Sequence, residues 1–258
     1  MGLMRTLLVF SFALSASLAS TLASAAAPAT PKKAAAQPRT AAWTLPPNVQ
    51  LNYALQGRIK GIQYNATSTL QWQQANGNRY SLRLDTRLPL VGTRSQVSEG
   101  QIAAAVLQPE RYTEQMRRTS TATVSLADRK VTFNTDHPPA DWQKGAQDRL
   151  SVMLQIGQWL RAQPGRYKPG DVLDVQVIGP RNAPVWHFRV DGTESVVLPT
   201  GSVDALKFTR LPRDDRPDDD QVIEFWLAPA YQQLPVRLRW SEDGDSADQM
   251  LTGATGLK

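Results

Sequence analysis

The chain offers few side chains suited to catalysis or metal binding. Its 258 residues include two histidines and no cysteine, which excludes disulfides, thiol catalysis and zinc sites built on cysteine. His137 lies in the segment DHPPAD with Asp136 and Asp141 close by, and these residue types can bind a metal ion together. Such a combination is frequent by chance in a Pro-rich loop, so we expect no metal ion or other cofactor.

Neither the second histidine nor any known catalytic motif indicates an enzymatic reaction. His187 alternates with Trp186 and Phe188, which places it on the outward face of a predicted strand. The chain contains no G-x-S-x-G elbow, no H-E-x-x-H helix and no phosphate-binding glycine loop. Two carboxylates for glycoside hydrolysis could meet from distant strands, but nothing singles out a pair. We therefore predict no catalytic residues.

Most of the chain alternates between apolar and polar residues, as half-buried antiparallel strands do. The pair Asn76–Gly77 fits a tight hairpin turn, because both residues tolerate positive φ. We count about a dozen strands. The predicted inward residues include Val49, Leu51, Tyr53, Leu55, Ile62, Tyr64, Leu70, Trp72, Tyr80, Leu82, Leu84, Leu173, Val175, Val177, Trp186, Phe188, Val190, Leu234, Val236 and Leu238.

Strands with one polar face do not form the two-sided parallel sheets of α/β enzymes. The apolar faces must turn toward each other, either by curling one sheet or by stacking two sheets. We favour a mainly β fold in which an antiparallel meander curls into a barrel or half-barrel.

Residues 147–162 are the exception, because their apolar residues have helical spacing. The apolar arc covers roughly 220°, and a narrow polar strip remains. A helix lying on one sheet needs about half that arc, so we predict a largely buried helix that plugs the curved sheet. The strip consists of Gln147, Ser151, Gln155 and Gln158.

Arg149 projects into the apolar arc of this predicted helix. It must either extend to solvent at the helix end or pair with a carboxylate. Glu194 and Glu224, both in strand-like segments, are the candidate partners.

The N-terminal region is typical of an exported protein. Residues 1–25 have one cation, an apolar stretch and a small-x-small triplet, which predicts a cleavable signal peptide. Residues 26–42 are rich in Ala and Pro and predict a disordered linker, followed by a single β-rich domain over 43–258. No later segment is long and apolar enough for a transmembrane helix, and no cysteine is present for lipid anchoring. We expect a periplasmic protein.

The charge distribution argues against nucleic-acid binding. The net charge is +6, but Lys and Arg are spread along the chain without an aromatic-interleaved patch. The segment DDRPDDD at 214–220 forms an acidic loop.

Three segments together resemble one family: GAQDRLSVMLQ (145–155), WHFRVDGTESVVLPTGSVDALKFTR (186–210) and IEFWLAPAYQQLPVRLR (223–239). They are similar to the secreted proteobacterial proteins grouped as domain of unknown function 3108, over about Leu51 to Leu251. The resemblance implies a periplasmic, strand-rich domain without an established activity. Its motif positions, which we expect to be structural, are Gln147, Asp148, Arg149, Glu194, Trp226 and Pro235.

Three functions remain open. The first is a non-catalytic envelope protein that binds a lipid or another apolar ligand between sheet and helix, with Met153 and Leu154 as lining residues. The second is a protein-interaction or scaffolding module of the envelope that uses a sheet edge or its basic face. The third is a polysaccharide hydrolase. Such an enzyme needs carboxylates on the inward face of the sheet, and the alternation pattern places few there.

Overall fold

The computed structural model describes residues 45–75, 78–104, 106–213, 216 and 219–257. The predicted signal peptide at 1–25, the predicted linker at 26–42 and the predicted Asn76–Gly77 turn lie outside these residues. Among the described helices, none has the length and apolar character needed to cross a membrane.

Fifteen strands and one α-helix make up the described part of the chain. The helix α1 (Ser151–Ala162) lies between the ninth and tenth strands, and a short 3-10 helix (Pro229–Tyr231) lies between the thirteenth and fourteenth. The strands are β1 (Val49–Ile59), β2 (Ile62–Ala75), β3 (Arg79–Leu88), β4 (Gly92–Ala103), β5 (Val106–Gln115), β6 (Thr119–Ser125), β7 (Lys130–Phe133), β8 (Ala140–Asp141), β9 (Gln147–Asp148), β10 (Val172–Ile178), β11 (Val185–Leu198), β12 (Gly201–Arg210), β13 (Val222–Ala228), β14 (Leu234–Glu242) and β15 (Asp245–Thr255).

All fifteen strands belong to one curled sheet that does not close, which confirms the predicted fold class. The sheet runs β8-β7-β6-β5-β4-β3-β2-β1-β15-β14-β13-β12-β11-β10-β9. Every pairing except β9 with β10 is antiparallel, as expected for successive hairpins. The estimate of about a dozen strands was low partly because β8 and β9 have two residues each, too few to show a period.

The alternation identifies the buried face of most strands correctly. Leu51, Tyr53, Leu82 and Phe188 are almost completely buried. Ile62 was placed on the buried face and is instead 73% exposed. The β1–β2 hairpin extends beyond the core here, so alternation continues without anything to bury against.

The helix begins later than the predicted 147–162. Gln147 and Asp148 form β9, which pairs in parallel with Val177 and Ile178 of β10, and α1 starts at Ser151. A two-residue strand adjoining a helix leaves no break in the apolar pattern, so the sequence could not separate the two elements.

The prediction that the helix is largely buried is confirmed: residues 151–158 and Leu160 are buried, and only Trp159, Arg161 and Ala162 are partly exposed. Its apolar residues pack into two separate clusters. Leu150 and Leu154 lie with Tyr53, Trp72 and other residues of the first cluster. The second contains Val152, Met153, Ile156 and Leu160 with residues of β10 to β14. The helix therefore separates two of the apolar clusters; a third, smaller cluster of Ala122, Val131, Ala146 and Ile178 lies beside β6, β7 and β10.

A side chain of β10, the strand next to the β9 edge, reaches the opposite edge of the sheet at β8. Gln176 of β10 accepts from the Gln143 backbone N–H at 2.8 Å and donates to the Asp141 carbonyl at 2.7 Å. It thus bonds the segment at β8 much as a neighbouring strand would. We call this contact between Gln176 and residues 141–143 the seam.

Candidate functional site

The polar strip of α1 bonds to the sheet. β6 pairs with β5 only over residues 111–115, which leaves Leu107 without a partner strand on that side. The Leu107 N–H donates to Gln155 Oε1 at 2.7 Å, and the Leu107 carbonyl accepts from Gln147 Nε2 at 2.7 Å. These two glutamines satisfy a strand that would otherwise leave backbone groups unpaired, which explains why the strip is polar although it is buried.

Asp148 organises the start of α1. Its Oδ1 accepts from the backbone N–H groups of Leu150 at 2.9 Å and Ser151 at 2.8 Å, while its own N–H donates to Ser151 Oγ at 2.8 Å. This reciprocal arrangement with Ser151 resembles a capping box, and it satisfies donors at the helix start. Complete burial raises the pKa of Asp148 to about 6, although the Ser151, Ser98 and Leu150 donors favour the charged form.

A second inward carboxylate, Glu114 of β5, lies in the same region. Its Oε1 accepts from Tyr112 Oη at 2.7 Å and Arg149 Nη1 at 3.3 Å, and its Oε2 from Arg94 Nη2 at 3.1 Å. Burial opposes ionisation of this carboxyl, but the charges of Arg94 and Arg149 outweigh that effect and lower its pKa.

The predicted partners of Arg149 were wrong. Arg149 pairs with Glu114 and is 32% exposed, with its guanidinium carbon 5.9 Å from the Trp186 ring centre. Glu194 accepts from Trp226 Nε1, and Glu224 pairs with Lys207 at 2.6 Å. Arg149 precedes the helix, so the helical projection that placed it in the apolar arc does not apply to it.

The opposite pKa shifts of Asp148 and Glu114 are of a kind found in acid–base catalysts. Both carboxyls influence the pKa of Tyr112, which places them in one electrostatic environment. The Asp148 side chain has no exposed surface, and its Oδ1 already accepts two backbone N–H groups. A substrate would not reach it in this conformation, so the shifts reflect burial and ion pairing.

Several buried polar atoms around α1 lack a hydrogen-bond partner among the described residues. They belong to side chains of the helix start and its polar strip, all of which are almost fully buried. An unpartnered buried polar atom costs roughly 1–3 kcal/mol. These atoms are Gln147 Oε1, Asp148 Oδ2, Gln155 Nε2 and Gln158 Oε1. We call them the unpaired polar atoms of α1.

The two predicted lining residues face different clusters. Leu154 packs in the first apolar cluster and Met153 in the second, so they do not line one common space. Both are buried in this conformation.

The histidines do not come together. His137 contacts Thr135 Oγ1 at 3.2 Å, and His187 contacts Asp174 at 2.6 Å on the outer face of its strand. Asp141 pairs with Lys130 at 2.6 Å. Within the described residues, no group of three or more His, Asp or Glu side chains is arranged to hold a metal ion.

The other predicted motif positions make contacts between distant strands. Trp226 donates to Glu194, which links β13 to β11, and its ring lies 4.8 Å from the Arg237 guanidinium carbon. The Pro235 carbonyl accepts from Tyr53 Oη at 2.8 Å, which links β14 to β1.

A polar trough of about 610 Å³ lies on the outer face of β1 to β5. Its side chains bond largely to one another: Ser95 donates to Asp85 at 2.6 Å, Arg83 to Asp85 at 2.7 Å, and Gln71 to Gln50 at 3.0 Å. Since these groups already satisfy one another, the trough is a weaker candidate for ligand binding than the interior.

Sequence reasoning missed three important interior contacts. Glu114 could have been found, because it follows the inward Tyr112 at a spacing of two. Gln176 has no sequence signal, since its partners are backbone groups of a distant segment. The buried pair of Arg210 and Asp219 was hidden because Asp219 belongs to a segment that predicted only an acidic loop.

The chain is similar to several solved structures, and one of them, with a TM-score above 0.5, supports this fold. A β-barrel-like protein of domain of unknown function DUF1849 from Brucella abortus is 12% identical, covers 81% of this chain and 98% of its own, and has a TM-score of 0.54. A putative exported protein with YmcC-like fold from Bacteroides fragilis has 12% identity and a TM-score of 0.36, over 83% of this chain and 100% of its own. A putative outer membrane lipoprotein-sorting protein domain from Vibrio parahaemolyticus has 10% identity and a TM-score of 0.30, over 82% and 87%.

The sequence comparisons confirm the predicted family resemblance. No curated protein matches the chain. The model of the family described as protein of unknown function (DUF3108) matches residues 50–252, nearly the whole predicted domain. The chain therefore belongs to the DUF3108 family.

Proposed function

We propose that this protein is a non-catalytic binding protein of the bacterial periplasm, whose domain at 43–258 holds a lipid or similar apolar ligand between the sheet and α1. One observation carries the proposal: a helix that is buried over its first two turns crosses the interior of a sheet that does not close. The family and the barrel-like fold of the Brucella protein are consistent with it.

The ligand's apolar part would lie in one of the two apolar clusters beside α1. α1 separates two apolar clusters, and Met153 and Leu154 face one each. A shift of the helix would open apolar surface on either side without breaking strand pairing. Apolar interior of this kind suits an acyl chain.

The unpaired polar atoms of α1 suggest that the ligand is amphipathic. Buried amide and carboxyl groups without partners lower stability, and a ligand that bonds to them would recover that cost. An apolar tail in a cluster and a polar group near Gln147 and Asp148 would satisfy both features of the interior.

The seam provides an entry route. The contact between Gln176 and residues 141–143 is a side-chain contact, so it can open without loss of a backbone ladder. Gln176→Leu should therefore speed the uptake of a fluorescent fatty acid such as cis-parinaric acid. The matched control is Gln73→Leu, an exposed glutamine on β2.

The interaction-module alternative has less support from the structure. Binding by strand addition needs a free sheet edge. The edge strands β8 and β9 have only two residues each, and β9 is buried. They expose little backbone to a partner strand.

Native mass spectrometry tests the proposal. Protein isolated from the periplasm without detergent should carry a bound lipid, and the delipidated protein should bind cis-parinaric acid stoichiometrically. Copurification of a protein in place of a lipid would favour the interaction module. A protein that carries no lipid and does not bind the probe would contradict the proposal.

A further inference from the structure

Three neighbouring hairpins present their tips at the same end of the sheet. Alternate turns of an antiparallel meander lie at one end, so the β1–β2, β3–β4 and β5–β6 turns share it. The tip segments are residues 56–65, 86–96 and 115–120. We call them together the tip surface.

The tip surface exposes large apolar side chains. Ile62 is 73% exposed and Leu90 is fully exposed. Ile59, Val91 and Met116 are also exposed, so all three tips contribute. Single exposed apolar residues are ordinary, but a group on adjacent tips marks an interaction surface.

The backbone at two of the three tips adopts left-handed conformations. Lys60 and Gly61 have φ of 50° and 80°, and they form the two-residue turn between Ile59 and Ile62. Leu90 has φ of 61°, a left-handed conformation that is uncommon for a residue with a side chain. An apolar side chain at a strained, fully exposed tip contributes nothing to the core, so a role in binding is the more economical explanation.

The charge of the tip surface has one sign. Its three segments contain six cations, Arg58, Lys60, Arg87, Arg94, Arg117 and Arg118, and no acidic residue. Arg58, Lys60, Arg117 and Arg118 form no salt bridge among the described residues. The next tip along the sheet, between β14 and β15, is acidic, with Glu242, Asp243 and Asp245.

We propose that the tip surface docks the protein on a membrane that contains anionic lipids. Apolar tips enter the boundary between headgroups and acyl chains, and the surrounding cations contact lipid phosphates. A second copy of the chain would bring the unpaired cations Arg58, Lys60, Arg117 and Arg118 against the same four, which disfavours self-association through this surface. The proposal goes beyond ligand binding in the interior and does not depend on it.

The absence of cysteine allows a site-specific test. Leu90→Cys, labelled with a nitrobenzoxadiazole dye, reports entry of the tip into an apolar environment. Val197→Cys is the matched control, because Val197 is 74% exposed and lies near the opposite end of the sheet. Full-length secreted protein is mixed with vesicles of phosphatidylcholine alone or with phosphatidylglycerol.

The proposal predicts a blue shift and a several-fold fluorescence increase at position 90 only, with phosphatidylglycerol vesicles, reversed by high salt. Ile62→Ser with Met116→Ser should weaken vesicle binding at least about tenfold, roughly the effect of one buried apolar side chain. The melting temperature should not change, since both side chains are exposed. No shift, an equal shift at position 197, or a concentration-dependent shift without vesicles would overturn the proposal.

Discussion

The body of α1 and the segment that leads into it are both buried, but they contribute to the fold in opposite ways. The body, from Val152 to Leu160, fills two apolar clusters. The leading segment, Gln147 to Ser151, brings a carboxyl and an amide into the interior, and Gln147 Oε1 and Asp148 Oδ2 have no hydrogen-bond partner among the described residues. The body also contains two buried glutamines with an unpaired atom, Gln155 and Gln158, but most of its side chains are apolar. Burial of the first region stabilises the protein, whereas burial of the second costs stability.

This difference separates the structural part of the helix from the part we connect with binding. Packing does not explain a buried polar group that lowers stability, whereas a role in binding does. Substitutions in the helix body and in the leading segment should therefore change stability in opposite directions.

The helix body should supply a large share of the stability. Leu154 is fully buried in the first cluster, so Leu154→Ala should lower the free energy of unfolding by about 2–5 kcal/mol. Urea denaturation measures the loss. Val197→Ala, at an exposed strand position, is the control and should cost under about 0.5 kcal/mol. A similarly small loss for Leu154→Ala would mean that the helix is peripheral.

The leading segment should give the opposite result. The folded pKa of Asp148, about 6, lies above the unfolded value, so its favourable contribution is complete below the unfolded pKa and is lost as pH rises through 6. Asp148→Asn keeps an oxygen for the Leu150 and Ser151 donors and removes the buried charge. At pH 7.5 it should stabilise the protein by up to about 3 kcal/mol.

The pH profile distinguishes this effect from a packing change. The wild type should lose stability between about pH 4 and 7 relative to Asp148→Asn, when both are measured by urea denaturation. Glu114, whose pKa is lowered by the charges of Arg94 and Arg149, is present in both proteins, so its contribution cancels in the comparison. Parallel profiles for the two proteins would contradict the assignment to Asp148.

The Arg149–Glu114 ion pair should have the smallest effect. Because Arg149 is 32% exposed, a double-mutant cycle with Arg149→Met and Glu114→Gln should give a coupling of about 1 kcal/mol. Cycles of Arg149 with Glu194 and with Glu224 are the controls and should show no coupling. Stronger coupling to either glutamate would mean that Arg149 points elsewhere in solution.

The sequence predicts the elements with strong periodicity and fails where a contact depends on distant backbone. The inward faces of β1, β3 and β11 follow directly from period-two alternation, and the burial of α1 follows from its wide apolar arc. The start of α1 was misplaced because β9 is too short to show a period. Gln176 at the seam could not be found, since only the curled sheet brings Asp141 beside β10.

The candidate site was predicted in part. Gln147, Asp148 and Arg149 do lie together at the interior helix. The helical projection of Arg149 does not apply, since α1 starts at Ser151, and the partner of Arg149 is Glu114 instead of the strand glutamates Glu194 and Glu224. Met153 and Leu154 were expected to line one space, and they pack on opposite sides of the helix.

Hydrogen exchange with and without a lipid ligand tests the central claim most directly. If α1 and the sheet hold an amphipathic ligand, saturation with oleic acid should slow amide exchange in residues 147–162 and in the seam at 141–143, since bound ligand stabilises the segments that contact it. Exchange in the helix that is unchanged by oleic acid, or changes confined to the hairpin tips, would contradict an interior binding site.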